Sequence, residues 1–426
     1  MFFFRRRLGA YPVYLMLEAA YAVFFGMITT INLVYQVEIA HLNPLQLVLV
    51  GTMLEGVCFV TQVPTGALAD LYSRRLAVVV GMVLVGAGFA LEGAIARFET
   101  ILLAQVLWGT GATLISGAEE AWIAGEVGEE RTGHVFLRGT QAAVLGGLVG
   151  AILSVALGSV RLNLPIVVGG VLIVGLGGFL WLAMPEEQFQ PTASADRTTW
   201  QALGDTLRQG GKAVRGSPLL LTILAVGAFF GMSSEGFDRL ATAHFLQDFT
   251  LPALGSLKPV VWFGVMAVGA ELLTLGMAEV VRRRLDTNNH RLVARFLFSI
   301  EAVQVAGVIA FALAGNFALA LAAYWAYTVL RSSARPVYMA WLTQQIEPRV
   351  RATVLSMSGL VDAFGQIAGG PIVGAIGSAI SLRAALVTAG AILTPVLPLF
   401  ARSIRQSAPI AAEGQAAREV LPVTDS

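Results

Sequence analysis

The stretch Gly66-Ala67-Leu68-Ala69-Asp70-Leu71-Tyr72-Ser73-Arg74-Arg75 joins two long apolar runs and decides the fold. It brings one carboxylate and two guanidinium groups into a very short connection. Because charged side chains avoid hydrocarbon, Asp70 ends the apolar run that precedes it, and Arg74 and Arg75 begin the run that follows. Arginines gather on the cytoplasmic side of membrane proteins. The stretch therefore predicts a cytoplasmic turn between two membrane helices, and Gly66 is a position where a neighbouring helix can come close.

The composition of the whole chain favours a membrane protein. The 426 residues are 56% hydrophobic and 13% charged, and their mean hydropathy is +0.73. Soluble domains carry about 25% charged residues. The formal net charge of +1 gives no electrostatic reason to bind nucleic acid. The single cysteine, Cys58, excludes an internal disulfide, and the sequence has no nucleophile elbow or phosphate-binding loop. We therefore expect no enzymatic activity, no metal and no other cofactor.

Apolar runs long enough to cross a bilayer core of about 30 Å recur along the chain. Twelve are predicted, at 11–37, 44–69, 76–96, 100–123, 139–160, 163–184, 218–246, 258–281, 292–314, 316–343, 352–378 and 382–400. The fold class is thus an all-α membrane protein with twelve transmembrane helices in two pseudo-symmetric six-helix bundles. The predicted domains are an N-terminal bundle (1–184), a cytoplasmic linker (185–217), a C-terminal bundle (218–405) and a disordered cytoplasmic tail (406–426). Positive residues gather in alternate loops, which places both termini in the cytoplasm.

The stretch that follows the second run carries a family resemblance. Gly66-x-x-x-Asp70 followed by Arg74 and Arg75 resembles the signature loop between helices 2 and 3 of the major facilitator superfamily of secondary transporters. Leu71 stands where a basic residue is usual, and Ser73 where glycine is usual. The resemblance implies that Asp70 meets the N-terminal end of helix 11 and that this loop closes the cytoplasmic side. It also implies transport by alternating access, with a proton gradient as the energy source.

Acidic side chains inside the predicted membrane helices are candidates for proton coupling. A buried charge costs several kcal/mol unless it is paired, hydrated or neutralised. Adjacent helical residues point about 100° apart, so we expect one of Glu119 and Glu120 to face a cavity. For Glu18, the alternative is a buried acid bonded to a neighbouring helix. The candidates are Glu18, Glu119, Glu120, Asp238 and Asp362.

Arginines on the tenth run are candidates for a gating charge network. Arg331 and Arg335 lie one turn apart, and the internal repeat puts them at nearly the depth of Glu119 and Glu120. We hypothesise an ion pair between the two sets that forms when the cytoplasmic side closes. The alternative is a permanent structural salt bridge within one half.

Two further groups involve the seventh and eleventh runs. Glu235 and Arg239 are one turn apart and can neutralise each other, which leaves Asp238 as the less compensated acid. The alternative for this group is an ion cluster at the outer mouth. Around Asp362, the glycines of residues 365–370 predict tight packing against the second or eighth run, together with a hinge.

The expected cavity lining is richer in aromatic rings than in hydrogen-bonding side chains. Such a lining, with a few carboxylates, favours amphipathic neutral or cationic compounds. An alternative is that many of the rings lie at the membrane interface. The candidate residues for substrate contact are Tyr14, Tyr21, Phe25, Trp122, Phe230, Phe237, Tyr327 and Tyr338.

The stretches Ser116–Trp122 and Phe237–Arg239, together with the signature loop, are most similar to the bacterial drug:proton antiporter branch, which includes macrolide and tetracycline exporters. This resemblance implies export of lipophilic small molecules in exchange for protons by a monomer in the bacterial cytoplasmic membrane. Proton-coupled uptake of a metabolite, or translocation of a lysolipid or lipid, is an alternative. A non-transporting receptor or scaffold with the same fold is the alternative from another class.

Overall fold

The computed structural model describes residues 8–189, 218–286, 290–346 and 351–406. The predicted linker lies outside these residues from 190 onward, and so does the predicted tail from 407 onward. The elements within them are the helices α1 (Ala10–Glu38), α2 (Pro44–Leu71), α3 (Arg74–Ala94), α4 (Phe98–Ile115), α5 (Ala118–Val127), α6 (Glu129–Gly158), α7 (Leu164–Ala183), α8 (Pro218–Asp248), α9 (Val261–Arg284), α10 (His290–Ala312), α11 (Phe317–Gln345), α12 (Arg351–Ala379), α13 (Leu382–Leu393) and α14 (Val396–Gln406).

The predicted all-α membrane class is confirmed. Within the described residues, eleven helical stretches are long and apolar enough to cross a membrane. The pair α4 and α5 makes one of these stretches, and α13 with α14 makes another. The remaining predicted span, α11, is 29 residues long. It carries Arg331, Ser332, Ser333 and Arg335, which make it more polar than the others.

Local sequence signals fix several helix starts. Asn43 precedes Pro44 and forms a capping box with Gln46, in which each side chain bonds the backbone N–H of the other residue. Ser73 caps α3 by accepting from the backbone N–H of Leu76 at 3.0 Å. The serine that departs from the family pattern therefore ends the short connection and starts the next helix.

Three predicted spans differ from the observed helices. The fifth was expected to begin at residue 139, but α6 begins at Glu129, because its polar first turns are good helix formers that need no membrane around them. The fourth span is divided at Gly117, whose φ of +77° lies in the left-handed region. The twelfth is divided before Val396, next to Pro395, which has no backbone N–H to donate.

The described residues form two compact units. Unit 1 contains those of Met1–Asp205, Asp238–Gly269 and Gly370–Ala385, and unit 2 contains those of Thr206–Phe237, Ala270–Gly369 and Leu386–Ser426. In unit 1, α1 packs on α6 and α7, and α3 packs on α4 and α7. In unit 2, α10 packs on α11 and α14. The division into bundles at residues 184 and 218 stays a prediction.

Glycines bring the backbones of α1 and α6 together. A Cβ on Gly146 would lie 2.6 Å from the carbonyl oxygen of Ala19, and one on Gly150 would overlap the carbonyl oxygen of Val23. Side chains at these positions would separate the helices, since small residues permit close packing between membrane helices.

The glycines near Asp362 pack against one of the expected spans and one that was not expected. Within unit 2, Gly365 and Gly369 lie against Ala228 and Met232 of α8, so a Cβ on either glycine would meet α8 backbone at 2.5 Å. Within unit 1, Gly374 lies against the first turn of α2. The partners are thus the second and seventh spans instead of the second or eighth, because α8 also presents a small residue, Ala228, at the crossing.

Candidate functional site

A cavity of about 390 Å³ in unit 1 gathers three of the predicted proton-coupling acids. Glu18 reaches it from α1, whereas Glu119 and Glu120 reach it from the first turn of α5. The remaining wall combines aromatic, apolar and small polar groups. The lining residues are Tyr14, Glu18, Ile115, Ser116, Gly117, Glu119, Glu120, Phe136 and Thr140.

The break between α4 and α5 positions two of these acids. Ser116 and Gly117 leave the helix at the cavity wall, and α5 starts again at Ala118. Glu119 and Glu120 therefore occupy a helix N-terminus, where unpaired N–H groups favour negative charge. Both residues line the cavity, whereas the sequence predicted only one; Glu119 is half-buried and Glu120 is exposed. Non-helical backbone at membrane depth is tolerated where it lines such a cavity.

An aromatic wall faces the acids. Tyr14 lies one helical turn before Glu18 and lines the same cavity. The Tyr14 ring meets Phe136 edge to face, with centroids 6.3 Å apart. Gly139 leaves room for this ring, since a Cβ there would lie 2.6 Å from the Tyr14 hydroxyl. Sequence analysis missed Phe136 because it precedes the predicted start of the fifth span.

Gly117→Ala is expected to destabilise the protein by about 1–2 kcal/mol, because an L residue at positive φ is strained. The space around Gly117 is open, so the backbone alone carries this penalty. Thermal unfolding of the purified protein in detergent measures the effect. Gly125→Ala, inside α5 where the nearest atom is Arg74 Nη1 at 3.5 Å, is the control and should be neutral or stabilising. Equal melting temperatures for Gly117→Ala and wild type would contradict the expectation.

The signature stretch touches the acid-bearing helix. Arg74 donates from Nη1 to the carbonyl oxygen of Ala121 in α5 at 2.9 Å, and its Nη2 lies 3.7 Å from Asp70 Oδ1. The Asp70 side chain is 54% exposed. Among the described residues, a Cβ on Gly66 would meet no atom within 4 Å. The close helix approach at this glycine stays a prediction. The predicted contact of Asp70 with the N-terminal end of the eleventh span, which is α12, stays a prediction.

The residues that follow α7 are bound to α3 and α5. Glu186 accepts from Ser73 Oγ at 2.7 Å and from the Arg75 backbone N–H at 3.0 Å. Trp122 is 2% exposed and donates from its indole N–H to the carbonyl oxygen of Pro185 at 2.6 Å. Trp122, a predicted substrate contact, therefore lies in the core behind the cavity. Glu126 accepts from the backbone N–H groups of residues 187 and 188.

The other predicted aromatic contacts in unit 1 form a cluster of rings. Tyr21 stacks on Phe25 at 5.4 Å, and Phe25 meets Phe89 and Trp108 edge to face at 5.9 and 5.8 Å. Tyr21 and Phe25 are both half-buried. Neither lines the 390 Å³ cavity.

Unit 2 holds the remaining aromatic candidates and Arg331. The Arg331 guanidinium lies over the rings of Phe230 and Tyr327, 5.5 and 5.9 Å from their centroids. Phe237 packs on Tyr327 with centroids 4.1 Å apart, and both are buried. Tyr338 lies 6.3 Å from the Trp341 and Phe400 rings. Arg335 is exposed. The charge pair between these arginines and Glu119 or Glu120 stays a prediction.

The acids of α8 and α12 differ in exposure. Glu235 is 4% exposed, Arg239 is half-buried and Asp238 is exposed. All three have interaction partners, and the role of Asp238 in proton coupling stays a prediction. Asp362 is half-buried and accepts from Gln366 Nε2 at 3.1 Å. None of these side chains lines the 390 Å³ cavity.

The sequence pattern of the Major Facilitator Superfamily matches residues 15–329. The chain belongs to this superfamily. It is a multi-pass membrane transporter, and the resemblance drawn from the signature stretch is confirmed at the level of the superfamily. The match includes nearly all of the 390 Å³ cavity, with Tyr14 just before its start, and the whole signature stretch.

Known superfamily members resemble the chain over most of its length. The uncharacterized MFS-type transporter YxaM of Bacillus subtilis (strain 168) is 23% identical over 359 residues, which are 83% of this chain and 86% of that protein. The nucleoside transporter NupG (D323A mutant) has a TM-score of 0.74 at 11% identity and covers 92% of this chain and 99% of its own. A bacterial homologue of the human lysosomal transporter Spinster, inward-facing and occupied, has a TM-score of 0.71 at 15% identity, covering 92% and 96%. These structures share the superfamily fold.

One acidic residue of the superfamily fold escaped the sequence analysis. Glu92 lies near the end of the third predicted span and was not among the candidate acids. The structure buries Glu92 completely. The detectable signal was the set of polar residues at the corresponding ends of neighbouring runs, Asn32, Gln36 and Gln105.

Proposed function

We propose that this transporter exports amphipathic or lipophilic small molecules, such as drugs, in exchange for protons by alternating access. The observation that carries the proposal is the convergence of Glu18, Glu119 and Glu120 on one cavity. Three carboxylates in a confined site repel one another when all are ionised. Binding of a proton or of an organic cation relieves this repulsion. The two therefore compete, which couples their movements in opposite directions.

The walls of the cavity support an amphipathic substrate. Tyr14 and Phe136 provide aromatic faces, and Ile115 adds an aliphatic one. Aromatic faces attract organic cations and stack on flat ring systems. Apart from the acids, few hydrogen-bonding side chains are available to satisfy a sugar or a peptide. A volume of about 390 Å³ lies within the range of small-molecule sites.

Proteoliposomes with an imposed pH gradient test the proposal. The assay compares lipophilic cations, macrolides and tetracyclines with sugars, amino acids, nucleosides and lysolipids. We expect accumulation of a lipophilic compound against its gradient, accompanied by proton movement in the opposite direction. Proton movement that answers only to a sugar, amino acid or nucleoside would overturn export and support uptake. Transport of lysolipid alone would support lipid translocation.

A combined variant distinguishes a carrier from a non-transporting receptor or scaffold with the same fold. Asp70→Asn with Glu18→Gln, Glu119→Gln and Glu120→Gln removes the signature acid and the three cavity acids. A scaffold needs none of these charges, whereas a carrier needs them to change its access state. We expect the combined variant to insert into the membrane and to lose transport. Unchanged transport in this variant would contradict the proposed mechanism.

A further inference from the structure

A second cavity in unit 1, of about 340 Å³, lies where several membrane helices end. Its walls come from the end of α1, the end of α3 and the turn between α6 and α7. Two hydrogen bonds join these walls: the Tyr35 hydroxyl donates to the carbonyl oxygen of Glu92 at 2.8 Å, and Asn163 Nδ2 donates to that of Gly93 at 3.1 Å. The cavity shares no lining residue with the 390 Å³ cavity. It is therefore a separate, preformed space at one end of the spans.

Arg161 brings a positive charge to this cavity. It lies in the turn between α6 and α7, and it is exposed. Within the part of the chain that the structure describes, its guanidinium group has no ion-pair or hydrogen-bond partner. The other described lining residues are uncharged. The cavity therefore offers a ligand one uncompensated positive charge, with the planar fork of N–H donors that matches a phosphate group.

The acid behind the wall does not offset this charge. Glu92 is completely buried and does not line the cavity. Its carboxylate accepts from Gln36 Nε2 at 2.8 Å and from Gln105 Nε2 at 3.3 Å. Asn32 and the positive charge of Arg239 also act on it. The negative charge of Glu92 is thus satisfied within the core, and the cavity stays electropositive.

Aliphatic side chains border the charged end of the cavity. Ile39 lines the cavity and is 45% exposed. Ile95, which is flanked by two lining residues, is 44% exposed, and Val160, next to Arg161 in the chain, is 67% exposed. Exposed apolar side chains of this kind mark contact with a membrane. One positive charge beside an apolar border is the complement of an anionic amphiphile.

We propose that this cavity binds the headgroup of an anionic phospholipid, with the lipid phosphate on Arg161. Hydrogen bonds between guanidinium and phosphate are charge-assisted and can be bidentate. A zwitterionic lipid carries its own cation, which competes for the phosphate, whereas an anionic lipid leaves its charge for the arginine. The volume lies in the range of small-molecule sites and admits a headgroup. The acyl chains then pass over Ile39, Ile95 and Val160 into the hydrocarbon.

Native mass spectrometry of the delipidated protein in an uncharged detergent, without substrate, tests the proposal. The probes are phosphatidylglycerol and phosphatidylcholine with identical acyl chains, together with glycerol phosphate, which has no chains. We expect saturable binding of phosphatidylglycerol, weaker binding of phosphatidylcholine and the weakest binding of glycerol phosphate. Arg161→Gln should weaken phosphatidylglycerol binding by at least about tenfold, as expected for loss of a charge-assisted hydrogen bond, and should remove most of the preference over phosphatidylcholine. Arg161→Lys, which keeps the charge without the fork, should fall between the two.

Arg383→Gln is the matched control, because Arg383 is an exposed arginine of unit 1, in the first turn of α13, that does not line the cavity. It should bind phosphatidylglycerol like wild type. The proposal is overturned if the wild type binds the two lipids equally or if Arg161→Gln keeps the wild-type preference. An equal loss in Arg383→Gln would mean general attraction to a charged surface, and equally tight binding of glycerol phosphate would mean a site for soluble anions. Either result would also overturn the proposal. Because no transport is measured, these outcomes are independent of the proposed export activity.

Discussion

Glu119→Gln is expected to lower proton-driven substrate accumulation by roughly 10- to 100-fold, the range of typical coupling between two ligands. Glutamine keeps the size of the side chain and its place in the first turn of α5 but cannot exchange a proton. Glu119 acts electrostatically on both Glu18 and Glu120, so its neutralisation removes much of the repulsion in the cavity. The substrate then no longer depends on proton release to bind. Counterflow of labelled against unlabelled substrate, which needs no proton, should be retained.

The comparison of driven transport with counterflow distinguishes coupling from folding. Glu130→Gln is the matched control, because Glu130 is an exposed acid in the first turn of the next helix and lies outside the cavity. It should transport like wild type in both assays. A Glu119→Gln variant that still concentrates substrate in response to a pH gradient would remove Glu119 from the coupling mechanism.

Gly150→Ala is expected to destabilise the protein by about 1–3 kcal/mol, the usual effect of overpacking, and Gly150→Leu should prevent stable folding. The added Cβ would overlap the Val23 carbonyl oxygen and lie 2.8 Å from the Met27 backbone nitrogen. Both are backbone atoms of α1, so relief requires the whole helix to move. The melting temperature in detergent and the yield of monodisperse protein measure the effect.

Gly147→Ala is the control for this packing prediction. Gly147 lies one turn before Gly150 on the same helix, but a Cβ on it would meet no atom within 4 Å. The two variants change the same residue type and differ only in what the new methyl group meets. Gly147→Ala should unfold at or above the wild-type temperature. Equal melting temperatures for the two alanine variants would mean that the α1–α6 crossing does not limit stability.

The sequence predicted the membrane spans well because they rest on a large energy, the cost of placing polar groups in hydrocarbon. That cost isolates Glu18, Glu119 and Glu120 in otherwise apolar runs. It does not reveal backbone conformation, so the left-handed Gly117 could not be distinguished from the many glycines that pack helices. For the same reason, the lining of one cavity by both Glu119 and Glu120 emerged only from the structure.

Residues without charge were harder to predict. Asn32, Gln36 and Gln105 carry no charge, and nothing in their separate positions along the chain shows that they meet at Glu92. Phe136 depends on where α6 begins, which hydropathy does not determine. Trp122 was predicted as a substrate contact because it is aromatic. In the structure, its indole N–H donates to the carbonyl oxygen of Pro185 instead.

Hydrogen bonds attach residues 185–188 to α3 and α5, so only the residues after them separate this attachment from α8. Phe189 is held as well, because its ring lies 5.7 Å from the guanidinium carbon of Arg74. The tether between the two attachment points is therefore residues 190–217, whose contour length is roughly 95 Å at about 3.4 Å per residue. This length far exceeds any displacement expected of a carrier during its cycle. We therefore expect that shortening this connection by a few residues leaves transport unchanged.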